Sequence, residues 1–142
     1  MADLFSVSAS GMEAQRLRMN IIASNLANVE TTRTATGGAY RRKDIVFETQ
    51  SQLDFGEHLK NASASYNNGV KVSGVIEDAR PLKYKFEPGH PDADKTGYVA
   101  YPNVNAAEEM VNMIAATRSY EANVTAFKAT REMALKALEL GQ

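Results

Sequence analysis

Two stripes of small and apolar residues, one toward each end of the chain, repeat at alternating intervals of four and three residues. The N-terminal stripe consists of Phe5, Ala9, Met12, Arg16, Met19, Ala23 and Leu26. The C-terminal stripe consists of Ala106, Met110, Met113, Thr117, Tyr120, Val124, Phe127, Arg131, Ala134 and Leu138. This spacing places all members of a stripe on one side of a helix. The sequence therefore predicts two long helices, each with an apolar seam that needs a partner.

Capping residues predict where both helices begin. Asp3 or Ser6 can cap the first helix, which should end near Asn28. Asn105 can cap the second helix, and Glu108, three residues later, can reach back to the cap. No proline or glycine follows Asn105 until Gly141 near the end of the sequence. We therefore expect the second helix to be the longer one.

The composition changes sharply between the two predicted helices. All four prolines and seven of the nine glycines fall between Glu30 and Val104, which predicts turns and short strands there. The expected fold is α+β and mainly α, with long N- and C-terminal coiled-coil-type helices packed together and a small central β-rich insert. We divide the chain into an N-terminal helical unit at 1–30, the insert at 31–104 and a C-terminal helical unit at 105–142.

Within the insert, three segments predict half-buried strands. Alternating apolar and polar residues mark residues 70–76 and 82–86, and residues 40–47 are a third candidate. The turn residues Asn67-Asn68-Gly69 would pair residues 63–66 with residues 70–73. Residues 87–96, which contain two prolines and a glycine, predict a surface loop.

Charge and cysteine content exclude several classes of function. The 16 basic and 17 acidic residues nearly cancel, so nothing indicates a nucleic acid or an anionic membrane as partner. The chain has no cysteine, which excludes thiol catalysis, disulfides and cysteine metal sites. Neither a secretory signal nor a transmembrane segment is present in the sequence pattern. We therefore expect a chain that reaches any site outside the cytoplasm by another route.

The residues that most often carry chemistry are sparse. His58 and His90 have no second ligand at a metal-binding spacing. Asp92 and Asp94 lack the further oxygen ligands that a calcium loop needs. We therefore expect no enzyme activity, no cofactor, no metal and no small-molecule substrate.

Arg41, Arg42 and Lys43 form the densest basic patch of the sequence. Such a run either lies in solvent or meets an acidic neighbour, and the sequence leaves both alternatives open.

Both stripes need a partner, and the residues leave two arrangements open. The helices can pack on each other as an intramolecular hairpin or against other chains. Seams rich in Ala and Met adapt to non-identical neighbours, and a hairpin would leave a second apolar edge at Ala107, Val111 and Ile114 in water. We therefore predict an assembly interface formed by Phe5, Met12, Met19, Leu26, Met110, Met113, Ile114, Tyr120, Val124, Phe127 and Leu138.

A specific motif lies at the end of the N-terminal stripe. Asn25-Leu26-Ala27-Asn28, followed by Thr31, resembles the Asn-Leu-Ala-Asn-x-x-Thr signature of flagellar rod and hook proteins. Asn25 and Asn28 can bond local backbone groups there, while Leu26 stays on the seam. Further matching stretches are Ser24–Thr34, Gly37–Lys43, Pro102–Asn105, Glu108–Ile114 and Thr117–Asn123.

The chain resembles the proximal-rod members of this family more closely than their longer distal-rod and hook relatives. It departs from the family pattern at Glu30, where asparagine is common, and at Ala39, where proline is common. Neither difference removes the resemblance.

The resemblance implies a structural subunit of the proximal rod of the bacterial flagellar basal body, which polymerises through its terminal helices and transmits torque from motor to hook. The implied partners are copies of the chain, the rod proteins FlgB, FlgF and FlgG, with FliE as a further candidate, and the flagellar type III export apparatus. The implied location is the periplasmic rod, reached from the cytoplasm without a cleavable signal. One alternative stays open, a soluble helical-hairpin adaptor whose β insert binds a protein partner.

Overall fold

The computed structural model describes residues 2–50 and 69–140, which form two long helices and four strands. Helix α1 spans Ala2–Ala27, and helix α2 spans Ala106–Glu139. The strands between them are β1 at Lys43–Gln50, β2 at Gly69–Glu77, β3 at Lys83–Phe86 and β4 at Tyr98–Tyr101. The predicted α+β class is confirmed.

Both helices have nearly the predicted limits. Asn105 caps α2 as expected, because its Oδ1 accepts a hydrogen bond from the backbone N–H of Ala107 at 3.1 Å. Glu108 does not reach back to the cap, since its carboxylate lies 3.9 Å from the guanidinium of Arg80. At 1.5 Å per residue, α2 is about 50 Å long.

Helices α1 and α2 run antiparallel and pack on each other. Near one end of the pair, the rings of Phe5 and Phe127 meet edge to face with centroids 5.0 Å apart. At the other end, the side-chain amide of Asn25 lies 2.9 Å from the carboxylate of Glu109. Of the two arrangements that the sequence left open, the intramolecular hairpin is therefore present in the single chain.

Strands β1 and β2 form an antiparallel pair that lies against α1. The pairing starts with Lys43 opposite Glu77, and a bulge shifts its register in the middle of β1. The backbone N–H of Val70 donates to the hydroxyl of Ser10 at 3.1 Å, which ties β2 to the helix. The predicted pairing of residues 63–66 lies outside the described residues. Strand β2 pairs along its length with β1.

Strands β3 and β4 form a second antiparallel pair, and the sequence analysis missed β4. The prediction of a half-buried β3 was wrong for Tyr84 and Phe86, which are 66% and 61% exposed, because neither of the two described helices packs on this strand. Val99 of β4 is fully buried instead. Gly97 precedes β4 with a φ of +84°, and a Cβ there would lie 2.8 Å from Phe86 Cε2. Only glycine fits this position without a shift of the ring.

The apolar core is small and contains few large side chains. Its buried members are Ala14, Ile22, Tyr40, Val99, Val104 and Ala116. In the part of the chain that the structure describes, neither helix has the length and apolar content needed to cross a membrane.

Candidate assembly surface and the polar junction behind it

Four segments meet near the end of α1 in a buried cluster of polar side chains, which we call the polar junction. Its members are Asn25 of α1, Tyr40 and Arg42 before β1, Asn103 in the loop before α2, and Glu109 of α2, and all five are buried. Buried polar groups are costly unless they are hydrogen-bonded. The bonding of each member therefore decides whether the junction stabilises the fold.

Asn25 uses all of its side-chain bonding capacity. Its Nδ2 donates to the carbonyl of Lys43 at 2.8 Å and to Glu109 Oε2 at 2.9 Å. Its Oδ1 accepts from the N–H of Lys43 at 2.9 Å and from the hydroxyl of Tyr40 at 3.0 Å. The prediction of local backbone bonds was wrong for Asn25, because its partners are distant in sequence. An amide side chain can donate two hydrogen bonds from its nitrogen and accept two at its oxygen, and no other side chain of this size can do both.

Asn28 makes the local bonds that the motif predicted. Its Nδ2 donates to the carbonyl of Ser24 at 2.8 Å, and its Oδ1 accepts from the hydroxyl of Thr31 at 3.2 Å. The carbonyl of Thr31 in turn accepts from the N–H of Tyr40 at 3.0 Å. The signature thus ends α1 and turns the chain back toward the junction.

Arg42 is the charged centre of the junction. Its Nε donates to Glu109 Oε1 and its Nη1 donates to Asp44 Oδ2, each at 2.8 Å. Burial opposes the charged form, but these two carboxylates outweigh it and raise the pKa of Arg42 above its ordinary value. Burial also acts to raise the pKa of Asp44, and the hydrogen bond from Arg42 reverses this and lowers it. Of the two alternatives for the basic patch, Arg42 meets acidic side chains, which belong to its own chain, whereas Arg41 is exposed.

Asn103 joins the loop before α2 to the ends of β1 and β2. Its Oδ1 accepts from the N–H of Arg42 at 2.8 Å. Its Nδ2 donates to the carbonyls of Asp78 at 3.2 Å and Arg80 at 3.0 Å. The Asp78 carboxylate lies 3.7 Å from Arg42, and hydrogen bonds from Arg80 lower its pKa. The junction therefore links both helices to the central strands.

The acidic residues of the 87–96 loop have structural partners. Asp92 accepts from the hydroxyl of Thr32 at 2.9 Å, and Asp94 accepts from the hydroxyl of Thr96. Among the described residues no group of three or more His, Asp or Glu side chains could hold a metal ion. His58 lies outside the described residues.

The predicted interface residues fall into two groups. Eight are half-buried along the helix pair: Phe5, Met12, Met19, Leu26, Met113, Tyr120, Val124 and Phe127. Three are exposed on α2, namely Met110 at 53%, Ile114 at 58% and Leu138 at 67%. The first group borders the intramolecular contact, and the second group has no cover within the described chain.

The contact between the helices is rotated relative to the C-terminal stripe. Glu109 and Ala116 are fully buried, whereas the adjacent stripe members Met110 and Thr117 are exposed. The stripe therefore follows one edge of the contact and does not form its centre. Together with Val111, which is 66% exposed, it leaves an apolar edge on α2 in solvent.

The sequence analysis did not bring the junction residues together. Glu109 lies in the first turn of α2, where an acidic residue is ordinary because it complements the helix dipole. Asn103 stands between Pro102 and Val104, both buried, and a polar residue flanked by apolar ones is the one local signal that could have drawn attention.

The two ends of the chain match models of known families. Residues 5–33 match the family "Flagella basal body rod protein", and residues 95–140 match the family "Flagellar basal body rod FlgEFG protein C-terminal". These segments contain α1 with the signature and α2 with its cap. The fold and the matched segments define the class as flagellar basal-body rod proteins.

Curated relatives narrow this class. The chain is 44% identical over 144 residues to the flagellar basal-body rod protein FlgC of Bacillus subtilis and 42% identical over 147 residues to that of Borreliella burgdorferi, covering 96% of this chain and 95% of each relative. It is 41% identical over 140 residues to FlgC of Salmonella typhimurium, covering 99% of this chain and 97% of the relative. The chain belongs to the FlgC family and is a structural rod subunit of the flagellar basal body. This family is not an enzyme family.

Proposed function

We propose that this chain polymerises in the proximal part of the rod through its terminal helices and transmits torque from the motor to the hook. The observation that carries this proposal is the exposed apolar edge of α2, where Met110, Val111 and Ile114 are each more than half exposed. Burial of one such side chain stabilises a contact by about 1.5–3 kcal/mol. Large exposed apolar side chains in one row are typical of an interaction surface.

The polar junction supplies the stiffness that torque transmission needs. Glu109 and Asn25 bind the two helices to each other, and Arg42 binds them to the central strands. A fully satisfied buried network holds its members in one arrangement. A force that acts on one helix is therefore passed to the rest of the subunit without slippage at this end.

Several further features belong to the same proposal. The partners are copies of this chain and the rod proteins FlgB, FlgF and FlgG, with FliE as a further candidate, and neighbouring helices pack in coiled-coil fashion along the stripes. The flagellar type III apparatus exports the chain without a cleavable signal, and it assembles in the periplasm. The chain works without catalysis, cofactor or metal.

Quantitative mass spectrometry of isolated basal bodies tests this function. Basal bodies are washed with salt and detergent, and the chain is counted against the other rod proteins. We expect retention at a fixed ratio to the other rod proteins. Recovery of the chain only from the soluble fraction would contradict the proposal.

The intramolecular packing of α1 on α2 favours a second candidate, the soluble helical-hairpin adaptor. In that case the hairpin is complete by itself and the central strands bind a protein partner. Hydrogen exchange of the isolated chain at micromolar concentration separates the two functions. Uniform protection along α2 would favour the adaptor, whereas rapid exchange in its exposed last turns would favour a helix that is completed by assembly.

A further inference from the structure

A groove runs between α1 and α2 on the side of the two stripes. One cavity in this groove, of about 390 Å³, is lined by Met12, Glu13, Arg16 and Tyr120. A second, open concavity of about 340 Å³ is lined by α2 alone, through Met113, Ile114, Thr117, Arg118 and Glu121. The hydroxyl of Thr117, which lines the second cavity, lies 3.6 Å from the sulfur of Met19, so the two helices are in contact at this level. We call this surface the stripe groove.

The heptad spacing explains why the stripe groove suits a helix. Stripe members such as Met12 and Tyr120 are half-buried by the hairpin, and their neighbours Arg16 and Thr117 are exposed. The contact between α1 and α2 therefore covers some members of each stripe and leaves the others in solvent. A third helix could lie in the groove between α1 and α2 and cover the exposed members of both stripes.

Within the described residues nothing covers the last turns of α2 and its C-cap Leu140, residues 132–140, which we call the apolar tail. Its large apolar side chains are exposed by 63%, 50%, 67% and 89% at Met133, Leu135, Leu138 and Leu140. They lie on two opposite sides of the helix, because residues 135 and 138 are three apart while residues 133 and 140 are seven apart. The tail therefore has apolar side chains on two opposite faces, and a single neighbouring helix of its own chain could bury only one of them.

The charges of the tail complement those of the groove. Arg118 and Glu121 border the groove three residues apart on α2. The exposed residues Glu132, Lys136 and Glu139 alternate in sign along the tail. If Lys136 of the tail pairs with Glu121 of the groove, one of the two tail glutamates can pair with Arg118. That residue is Glu132 or Glu139, depending on whether the tail runs parallel or antiparallel to α2 of the other copy. Complementary charges of this kind set register more than affinity.

We propose that the stripe groove of one copy binds the apolar tail of a second copy of this chain. The inference rests on the proposed function and names the contact through which copies join. Groove and tail are different surfaces at different places on α2, so the contact is heterologous and does not close on itself. Each added copy presents a new free groove or tail, and the result is a helical assembly.

The absence of cysteine from the natural sequence makes cross-linking a direct test. Two single-cysteine variants, Thr117→Cys in the groove and Leu138→Cys in the tail, are mixed as purified full chains and also produced together in a strain that lacks its own FlgC. A short bis-maleimide then joins thiols that lie close together. We expect a dimer at twice the 15.5 kDa chain mass.

The matched control is Ala122→Cys paired with Leu138→Cys. Ala122 is also exposed on α2 but lies roughly 140° around the helix from Thr117. We expect roughly tenfold less dimer with this pair, because its thiols lack the effective concentration that docking creates. Equal yields of dimer from the two pairs would overturn the proposal.

The two proposals fail in different ways. If wild-type chain is retained in basal bodies but neither preparation yields the specific dimer, the groove contact is overturned and the rod function stands. If wild-type chain is absent from basal bodies, the rod function is overturned, and a specific dimer of the purified chain would still support the groove contact.

Discussion

At the scale of single residues, the stability of this small fold depends on a buried ion pair. Glu109 has no exposed surface, and its two carboxylate oxygens are divided between Arg42 and Asn25. Such a pair is weak evidence of net stabilisation compared with apolar packing, but removal of one partner leaves a buried charge or donor without its bond. The junction is therefore a place where one substitution is felt by both helices.

Replacement of Glu109 by Ala should lower the free energy of unfolding by about 1–3 kcal/mol. The variant leaves Arg42 Nε and Asn25 Nδ2 short of an acceptor. Urea denaturation of the purified chain measures the change. The control is Glu108→Ala, because the neighbouring carboxylate is half exposed and lies 3.9 Å from the guanidinium of Arg80. We expect that control to stay within about 0.5 kcal/mol of wild type, and equal losses in the two variants would contradict the role of the junction.

The decrease in the free energy of unfolding at low pH should also depend on the carboxylates that pair with Arg42 of the junction. The folded chain lowers the pKa of both Asp44 and Asp78. Below the ordinary carboxyl pKa of about 4, the unfolded chain therefore binds protons that the folded chain does not. This contribution is complete above that pH and is lost as pH falls through the folded pKa values. Denaturation curves from pH 7 to pH 3 should show the loss, and it should be smaller in Asp78→Asn. An unchanged decrease at low pH in that variant would exclude Asp78 as a contributor.

At the scale of elements, the hairpin depends on small residues that let α1 and α2 approach closely. Ala14 and Ala116 are buried, and a Cβ at Gly11 would lie 3.0 Å from Asn123 Oδ1 on the facing helix. Glycine costs helix stability at such a position, which close packing offsets. The small residues at positions 11, 14 and 116 thus determine how closely the two helices can approach each other.

Replacement of Gly11 by Leu should destabilise the isolated chain by about 1–3 kcal/mol, because the side chain has no space between the helices. Thermal unfolding followed by circular dichroism measures this. The same substitution at Ala9, which is exposed on the same helix, is the control and should leave the midpoint nearly unchanged. A Gly11→Leu chain as stable as the Ala9→Leu chain would show that the helices do not pack closely at this point.

The helices were predictable from the sequence because their signals are local. The stripe repeat lies within the helices that it predicts, and Asn105 lies directly before the helix that it caps. The partners of Glu109 were not predictable in this way, since Asn25 and Arg42 lie far from it in sequence and only the complete fold brings them together. The alternation in β3 indicated which side chains share a face, but no local pattern says whether anything covers that face, and Tyr84 is exposed as a result.

At the scale of the whole molecule, one end of the hairpin is tied to the central strands and the apolar edge of α2 is free. The polar junction orients both helices relative to β1 and β2, while Met110, Val111 and Ile114 stay uncovered. A chain with this division has a rigid interior and a surface available for assembly. We expect this surface to make the contacts that incorporate the chain into the rod.

The most direct test replaces Ile114 by Asp in a strain that lacks its own FlgC and counts the chain in isolated basal bodies by mass spectrometry. Ile114 is 58% exposed, so the folded subunit should tolerate the change, whereas a buried unpaired carboxylate in an interface costs several kcal/mol. The control is Ala126→Asp, which is also exposed on α2 but lies about 120° around the helix from Ile114 and about three turns further along it, away from Met110 and Val111. We predict that Ala126→Asp is incorporated and that Ile114→Asp is exported but absent from basal bodies. Incorporation of Ile114→Asp at the wild-type level would contradict the account.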